Sequence, residues 1–186
     1  MKRLFDLLMS LFLVILLLPP SLVIASLIKI NSKGSVLFWS KRIGRNNVVF
    51  LMPKFRSMKV DTPVVASHLL TDPKTHITFI GKILRKTSLD EIPQLLCILK
   101  GEMSFVGPRP ALNSQQDLIE MRTKLNIHTL LPGLTGWAQV NGRDELTIEQ
   151  KVALDAEYLN KQRLTFDFYI LLKTIAIVLK STHISH

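Results

Sequence analysis

Leu7 to Ile28 is a run of 22 residues without a charge, interrupted near its middle by Pro19-Pro20. As a straight helix it would measure about 33 Å, nominally enough for a hydrocarbon core of about 30 Å. The prolines oppose that reading, because neither donates an N–H and each ring crowds the preceding turn, forcing a kink or break. Split there, Leu4–Leu18 reaches about 22 Å and Ser21–Ile30 about 15 Å, so neither half spans. Lys2 and Arg3 precede the segment, and Lys29 and Lys33 follow it. Positive charge marks the cytoplasmic flank of a membrane segment, so both ends read as cytoplasmic. The sequence therefore predicts a re-entrant helix that enters, breaks at Pro19 and Pro20 and returns, with Ser21 near the carbonyls freed at the break. The alternatives are a kinked single span and a signal peptide, whose apolar run is usually only about 7 to 15 residues.

The chain of 186 residues carries a net charge of +10, very unevenly placed. Residues 1–60 hold ten Lys or Arg against the single acid Asp6, whereas the remainder is nearly balanced. A basic surplus beside the most apolar segment favours a surface of anionic phospholipids, where each Lys or Arg gains about 1 kcal/mol. No nucleic-acid-binding module is recognisable, so nucleic acid is not an expected partner. Length and the lack of repeats suit one domain with an appendage: a membrane helix over 1–33 and a compact domain at the cytoplasmic face over 34–186. The lone Cys97 rules out an intrachain disulfide and, in an apolar run, reads as a buried thiol.

The chemistry concentrates between Arg85 and Pro110. Ser88, followed three residues later by Glu91 and then by apolar residues, has the form of a capping box, and on that reading the acids only cap. Pro93 requires any helix to start close before it, which puts Asp90 at a helix N-terminus, where an ionised carboxylate is favoured. Asp90 is therefore a candidate metal ligand or nucleophile, and Glu91, pointing roughly 100° away, a partner with a different task. Prolines on both sides of Arg109 present its guanidinium from a stiff strut, and Arg85 lies five residues before Asp90, so two cations could flank a diphosphate.

Around this stretch, Val36–Ser40 and Val48–Met52 read as a β-hairpin about Gly44–Asn47, with Lys41, Arg42, Arg45, Lys54, Arg56 and Lys59 on and after it. That cluster is a solvated face, or one that holds lipid phosphate or an anionic substrate. Residues 60–76 read as a loop or short weak helix. Ile92–Leu99 reads as a buried helix, Asn113–Leu125 as an amphipathic one, and helix signals resume at Thr147–Tyr158. Phe166–Lys180 is an apolar helix with Lys173 and Lys180 on one face, suited to the core or to a membrane interface. Leu131–Arg143 is dense in turn formers, and Trp137, Gln139, Asn141 and Arg143 suit it to holding a polar ring, or make it a turn fixed by a buried Trp.

Lys2–Asp6, the proline pair, Lys54–Met58, Arg85–Leu95, Lys100–Pro110 and Pro132–Arg143 occur in an order that closely resembles the small monotopic bacterial sugar transferases, phosphoglycosyltransferases acting on a polyprenol phosphate carrier. The resemblance implies a helix-rich α/β fold at the inner (cytoplasmic) membrane, built from a re-entrant helix and one compact domain with a short hairpin and amphipathic interfacial helices. It implies transfer of a phosphosugar from a UDP-sugar, N-acetylated in small family members, to polyprenol phosphate with Mg²⁺. By motif match Asp90 is the nucleophile and Glu91 its partner, the two also being the expected metal ligands, while Arg85 and Arg109, joined by Lys54 and Arg56, are the expected phosphate-binding cations. A homo-oligomer is compatible with the sequence. Two readings from other classes stand against this one. A basic membrane scaffold would not need Asp90, and a two-carboxylate glycoside hydrolase would need carboxyls about 5 to 9.5 Å apart across a sugar, which adjacent helical residues supply poorly.

Overall fold

The computed structural model describes residues 1–60, 62, 73–142 and 145–183. The first element, α1 (Lys2–Asn31), runs unbroken through Pro19 and Pro20. The expected break is therefore absent from the helical assignment: the prolines remove two N–H donors, but the turns on either side continue.

Helix α1 is anchored along its length to one body. At its start Lys2 Nζ donates to Asp167 Oδ2 at 2.6 Å and to the Val106 carbonyl at 3.1 Å. Tyr158 Oη donates to the same carboxylate at 2.6 Å, closing a network in which Asp167 is nearly inaccessible. Arg3 donates to the carbonyls of Ile98 and Leu99, and the buried Asp6 accepts from the Phe105 amide. The N-terminal cations expected only as topology signals are thus also structural ties. Further along, Leu13, Val14 and Leu17 pack on the main core, and Ile24 and Ile28 join a second cluster with Phe55 and Leu84. Just past its end, the Ser32 carbonyl and hydroxyl accept from Arg56 Nη2 at 3.1 and 2.8 Å. The opposite stripe, including Leu4, Leu8, Phe12, Ile15, Leu22 and Leu27, is exposed. Among the described residues α1 is the one helix long and apolar enough to cross a membrane by length and composition.

The hairpin forms as read: β1 (Leu37–Ile43) pairs antiparallel with β2 (Val49–Phe55), Ser40 facing Met52 and Phe38 facing Lys54. The short α2 (Pro73–His76) and α3 (Phe79–Thr87) follow, then a 3-10 helix over Leu89–Gln94 and α4 (Leu95–Lys100). Most of 60–76 lies outside the described residues. The strand β3 (Ser104–Val106) pairs in parallel with β5 (Gly133–Thr135), and β4 (Ala111–Leu112) adds to the free edge of β1. The remaining helices are α5 (Gln116–Lys124), α6 (Trp137–Val140), α7 (Ile148–Lys161) and α8 (Leu164–His183). A capping box does form, but at Thr147 and Gln150, where it opens α7.

The apolar core lies between the hairpin, α4, α5, α7 and α8 and includes Phe50, Met52, Ile98, Met103, Ile127, Val152 and Ile170. Cys97 belongs to it as expected, its thiol pushed up to about 12 by burial. It is therefore a poor nucleophile at neutral pH.

Because both ends of α1 are tied to one body, cysteines placed at Met1 and at Lys33, both exposed, should react with a membrane-impermeant maleimide from the same side of sealed vesicles. Labelling from opposite sides would contradict this arrangement.

Candidate active site

Asp90 and Glu91 stand in the 3-10 turn between α3 and α4, and the capping box read from the sequence does not form there. Ser88 adopts a left-handed conformation (φ 56°) and its side chain makes no cap. The chain turns sharply at that point, and Glu91 is directed away from the Ser88 amide to a cation: Lys54 Nζ donates to Glu91 Oε1 at 2.6 Å, and Arg109 Nη2 lies 3.9 Å from the same oxygen. Lys54, on β2, thereby ties the hairpin to the acidic turn.

Asp90 is only 8% exposed. Burial pushes its carboxyl above the usual range, with Glu91 adding repulsion, while Lys54 and Arg85 pull the other way. The helix terminus read from sequence was expected to hold it low; here desolvation by burial outweighs the N-terminal dipole of the short 3-10 segment. Charge balance at Asp90 thus rests on lysine and arginine side chains.

Arg109 projects from Gly107–Pro110, and this strut is fixed by backbone contacts that its sequence only partly announces. Gly107 donates to Thr135 O and Gly133 to Pro108 O, each at 2.9 Å. A Cβ on Gly107 would collide with Leu131 O, so the close approach glycine permits here is by the protein's own chain. From the other side Arg122 Nη1 donates to Arg109 O at 2.8 Å and Arg42 Nη1 to Pro110 O at 3.2 Å. Arg122 is itself held by the buried Asp155 at 2.6 Å.

Sequence reasoning had Arg42 only as one member of a basic cluster and did not single out Arg122. For Arg42 a signal existed: with Phe38 opposite Lys54, the alternation of β1 puts Arg42 on the face that carries Lys54. Burial first, and then the field of Arg109, lower its guanidinium to about 10, so two arginines crowd one locality. Such crowding suits a multiply charged anion.

The other expected site residues divide. Arg85 lies near enough to act on Asp90 and also contacts Met58 Sδ at 3.7 Å. Arg56 is 8% exposed and holds Ser32, so it secures the end of α1. Residues 131–143 are not one open loop, because β5 and α6 lie within them. Trp137 donates to Glu157 at 2.8 Å, packs on Phe166, and has Lys173 Nζ 4.8 Å above its ring. Asn141 bridges Trp137 O and Lys173. The two thereby bond to α7 and α8, respectively, with Trp137 half-buried. Gln139 instead faces a cavity, and its Oε1 is buried without a partner. Arg143 lies outside the described residues.

That cavity, of about 320 Å³, is lined by the polar residues Ser88, Glu91, Arg109, Thr135, Gln139 and Thr174 and by apolar ones that include Leu13 and Leu17 of α1 with Leu171, Ile175 and Val178 of α8. Among the described residues no group of three or more His, Cys, Asp and Glu could hold a metal. Two neighbouring carboxylates, with the rest of the shell left to substrate oxygens and water, do match the hard-oxygen ligand set of Mg²⁺.

Residues 1–181 match the family described as bacterial sugar transferase. The chain belongs to that family. It is 36% identical to the exopolysaccharide production protein ExoY of Sinorhizobium fredii, covering 95% of this chain and 84% of that protein. It is 41% identical to the undecaprenyl-phosphate glucose phosphotransferase of Komagataeibacter xylinus, over 94% of this chain and 35% of the relative. It is also 39% identical to the UDP-glucose:undecaprenyl-phosphate glucose-1-phosphate transferase of Escherichia coli, again spanning little more than a third (39%) of that longer protein. These matches bear out the resemblance read from the motifs.

A carboxyl raised by burial binds its proton more tightly in the folded state, so ionising it costs stability as pH rises. Asp90→Asn should therefore melt at a higher temperature than the wild type at neutral pH in the same detergent, with the difference shrinking in acid. An equal or lower melting temperature at neutral pH would contradict this charge balance.

Proposed function

We propose that this sugar transferase moves a sugar 1-phosphate from a UDP-sugar to polyprenol phosphate, releasing UMP, at the cytoplasmic face of the inner membrane. The observation that carries the reading is a cavity lined on the one hand by Glu91 and Arg109, the former paired with Lys54, and on the other by apolar side chains of α1 and α8. A diphosphate fits the first and a polyisoprenoid chain the second. The names of the relatives point to the same pair of substrates.

In this reading Asp90 attacks the sugar-bearing phosphorus, the bond to the UMP oxygen breaks, and the phosphosugar is held as an acyl phosphate. The oxygen of the acceptor lipid phosphate then attacks the same phosphorus and restores the carboxylate. Arg109, steadied by Arg122 and Arg42, and Arg85 bind the phosphate oxygens whose repulsion would otherwise keep a carboxylate away. Lys54 holds Glu91 in place until substrate arrives. Mg²⁺, held by Asp90 and Glu91, would supply further neutralisation of phosphate charge. Gln139, with its unpartnered oxygen at the cavity, is the residue of the 131–143 segment that would meet the donor; resemblance to small family members suggests an N-acetylated UDP-sugar, whereas two longer relatives have glucose in their names. The membrane helix keeps both ends on one side, tied to the same body, with its bare apolar stripe in lipid.

The experiment is a panel of UDP-sugars supplied to the purified full chain with undecaprenyl phosphate and Mg²⁺. One donor should give UMP and a lipid-linked phosphosugar in equal amounts, and Asp90→Asn should lower that rate by more than about 10³-fold with folding intact. Release of free sugar or of UDP, or full activity in the Asn variant, would overturn the reading.

A further inference from the structure

Across the hairpin from the catalytic cations lies a second, larger groove of about 1100 Å³. The outward-facing side chains of β1 and β2 form one wall, with Trp39, Val49 and Leu51 each about half exposed (48%, 51% and 51%) and Val48 beside them (65%). Lys41, Arg45, Lys100 and Arg3 also line the groove, against the single acid Glu102. Lys41, Arg45 and Lys100 are exposed and form no ion pair or side-chain hydrogen bond among the described residues. Arg3 is fixed by its bonds to Ile98 O and Leu99 O, so it presents a cation of set position.

We propose that this groove binds the headgroup of an anionic phospholipid, its phosphate on Arg3, Lys41, Arg45 and Lys100 and its glycerol and upper acyl chain against Trp39, Leu51 and Val49. Three observations select a lipid. The charge is complementary to a phosphodiester and exceeds what Glu102 can balance. An exposed Trp beside aliphatic residues is the composition of a membrane–water boundary. Arg3 immediately precedes the bare stripe of α1 that begins at Leu4, so a chain leaving the groove meets an apolar surface at once. The inference rests on the membrane placement proposed above but not on the transfer chemistry. Lipid bound here would fix the height of the hairpin, and with it Lys54 and Arg42, relative to the membrane.

The test is native mass spectrometry of the full chain in neutral detergent with equal amounts of phosphatidylglycerol and phosphatidylcholine. The wild type should retain the anionic lipid about tenfold more often, and Lys41→Gln/Arg45→Gln/Lys100→Gln should bring the ratio within about twofold of unity. The variant should keep the wild-type melting temperature and UMP release in detergent. No preference in the wild type, or a preference unchanged in the triple variant, would overturn the proposal. So would full competition by the deacylated headgroup glycerophosphoglycerol, which marks a bare anion site, or a dimer that the substitutions dissociate, which marks an interface between copies. Absence of UMP release from every donor, with lipid preference intact, would strike the transferase reading alone.

Discussion

Two neighbouring carboxylates under protein cover repel each other and lose hydration, and the site around them is arranged as the answer to that cost. Glu91 is matched by Lys54 at 2.6 Å, with Arg109 nearby, while the burial that raises Asp90 is opposed by Lys54 and Arg85. The cations come from separate parts of the chain: Lys54 from β2, Arg85 from α3, Arg109 from the strut after β3. Bringing them to one place requires the hairpin, the acidic turn and the parallel strand pair together. The same excess of cations that tolerates two carboxylates is what a diphosphate would need.

Stiffness has an equally physical origin. The strut carrying Arg109 has prolines at both sides, but its position comes from being bonded along one edge to residues 133–135 and capped on its carbonyls by Arg42 and Arg122. Asp155 in turn makes it tolerable to bury Arg122. On the other side, the Lys2–Tyr158–Asp167 network and the Arg56–Ser32 bonds hold α1 against the domain at both ends. Leu13 and Leu17 therefore line the cavity that also contains Glu91. The membrane helix is thereby a wall of the site as well as a candidate anchor.

Features governed by local periodicity were legible in the sequence: the hairpin, the amphipathic α5, α7 and α8, and the buried thiol of Cys97. What local pattern could not show were outcomes decided by partners far along the chain. Ser88 and Glu91 have capping-box spacing, but Lys54 competes for Glu91 and wins, whereas Thr147 and Gln150 face no such rival and cap α7. Trp137 and Asn141 have the polarity of ligand-binding residues and are taken by Glu157 and Lys173. Arg56 follows Lys54 by two, yet lies past the strand's end and turns to α1. Pro19-Pro20 read as a kink or break from donor loss and ring crowding, yet the helix continues through them, with Leu13, Val14 and Leu17 packed before the pair and Ile24 and Ile28 after it.

The central claim is that Asp90 forms a covalent bond to the phosphosugar, which makes release of UMP independent of the acceptor. The most direct measurement is the intact mass of the protein after mixing with its UDP-sugar donor and Mg²⁺ in the absence of any polyprenol phosphate. The account predicts a mass increase equal to one phosphosugar, located on the peptide containing Asp90 and discharged on adding the lipid. An unmodified mass under conditions in which donor and acceptor together turn over, with UMP formed only when both are present, would contradict it and make the transfer direct.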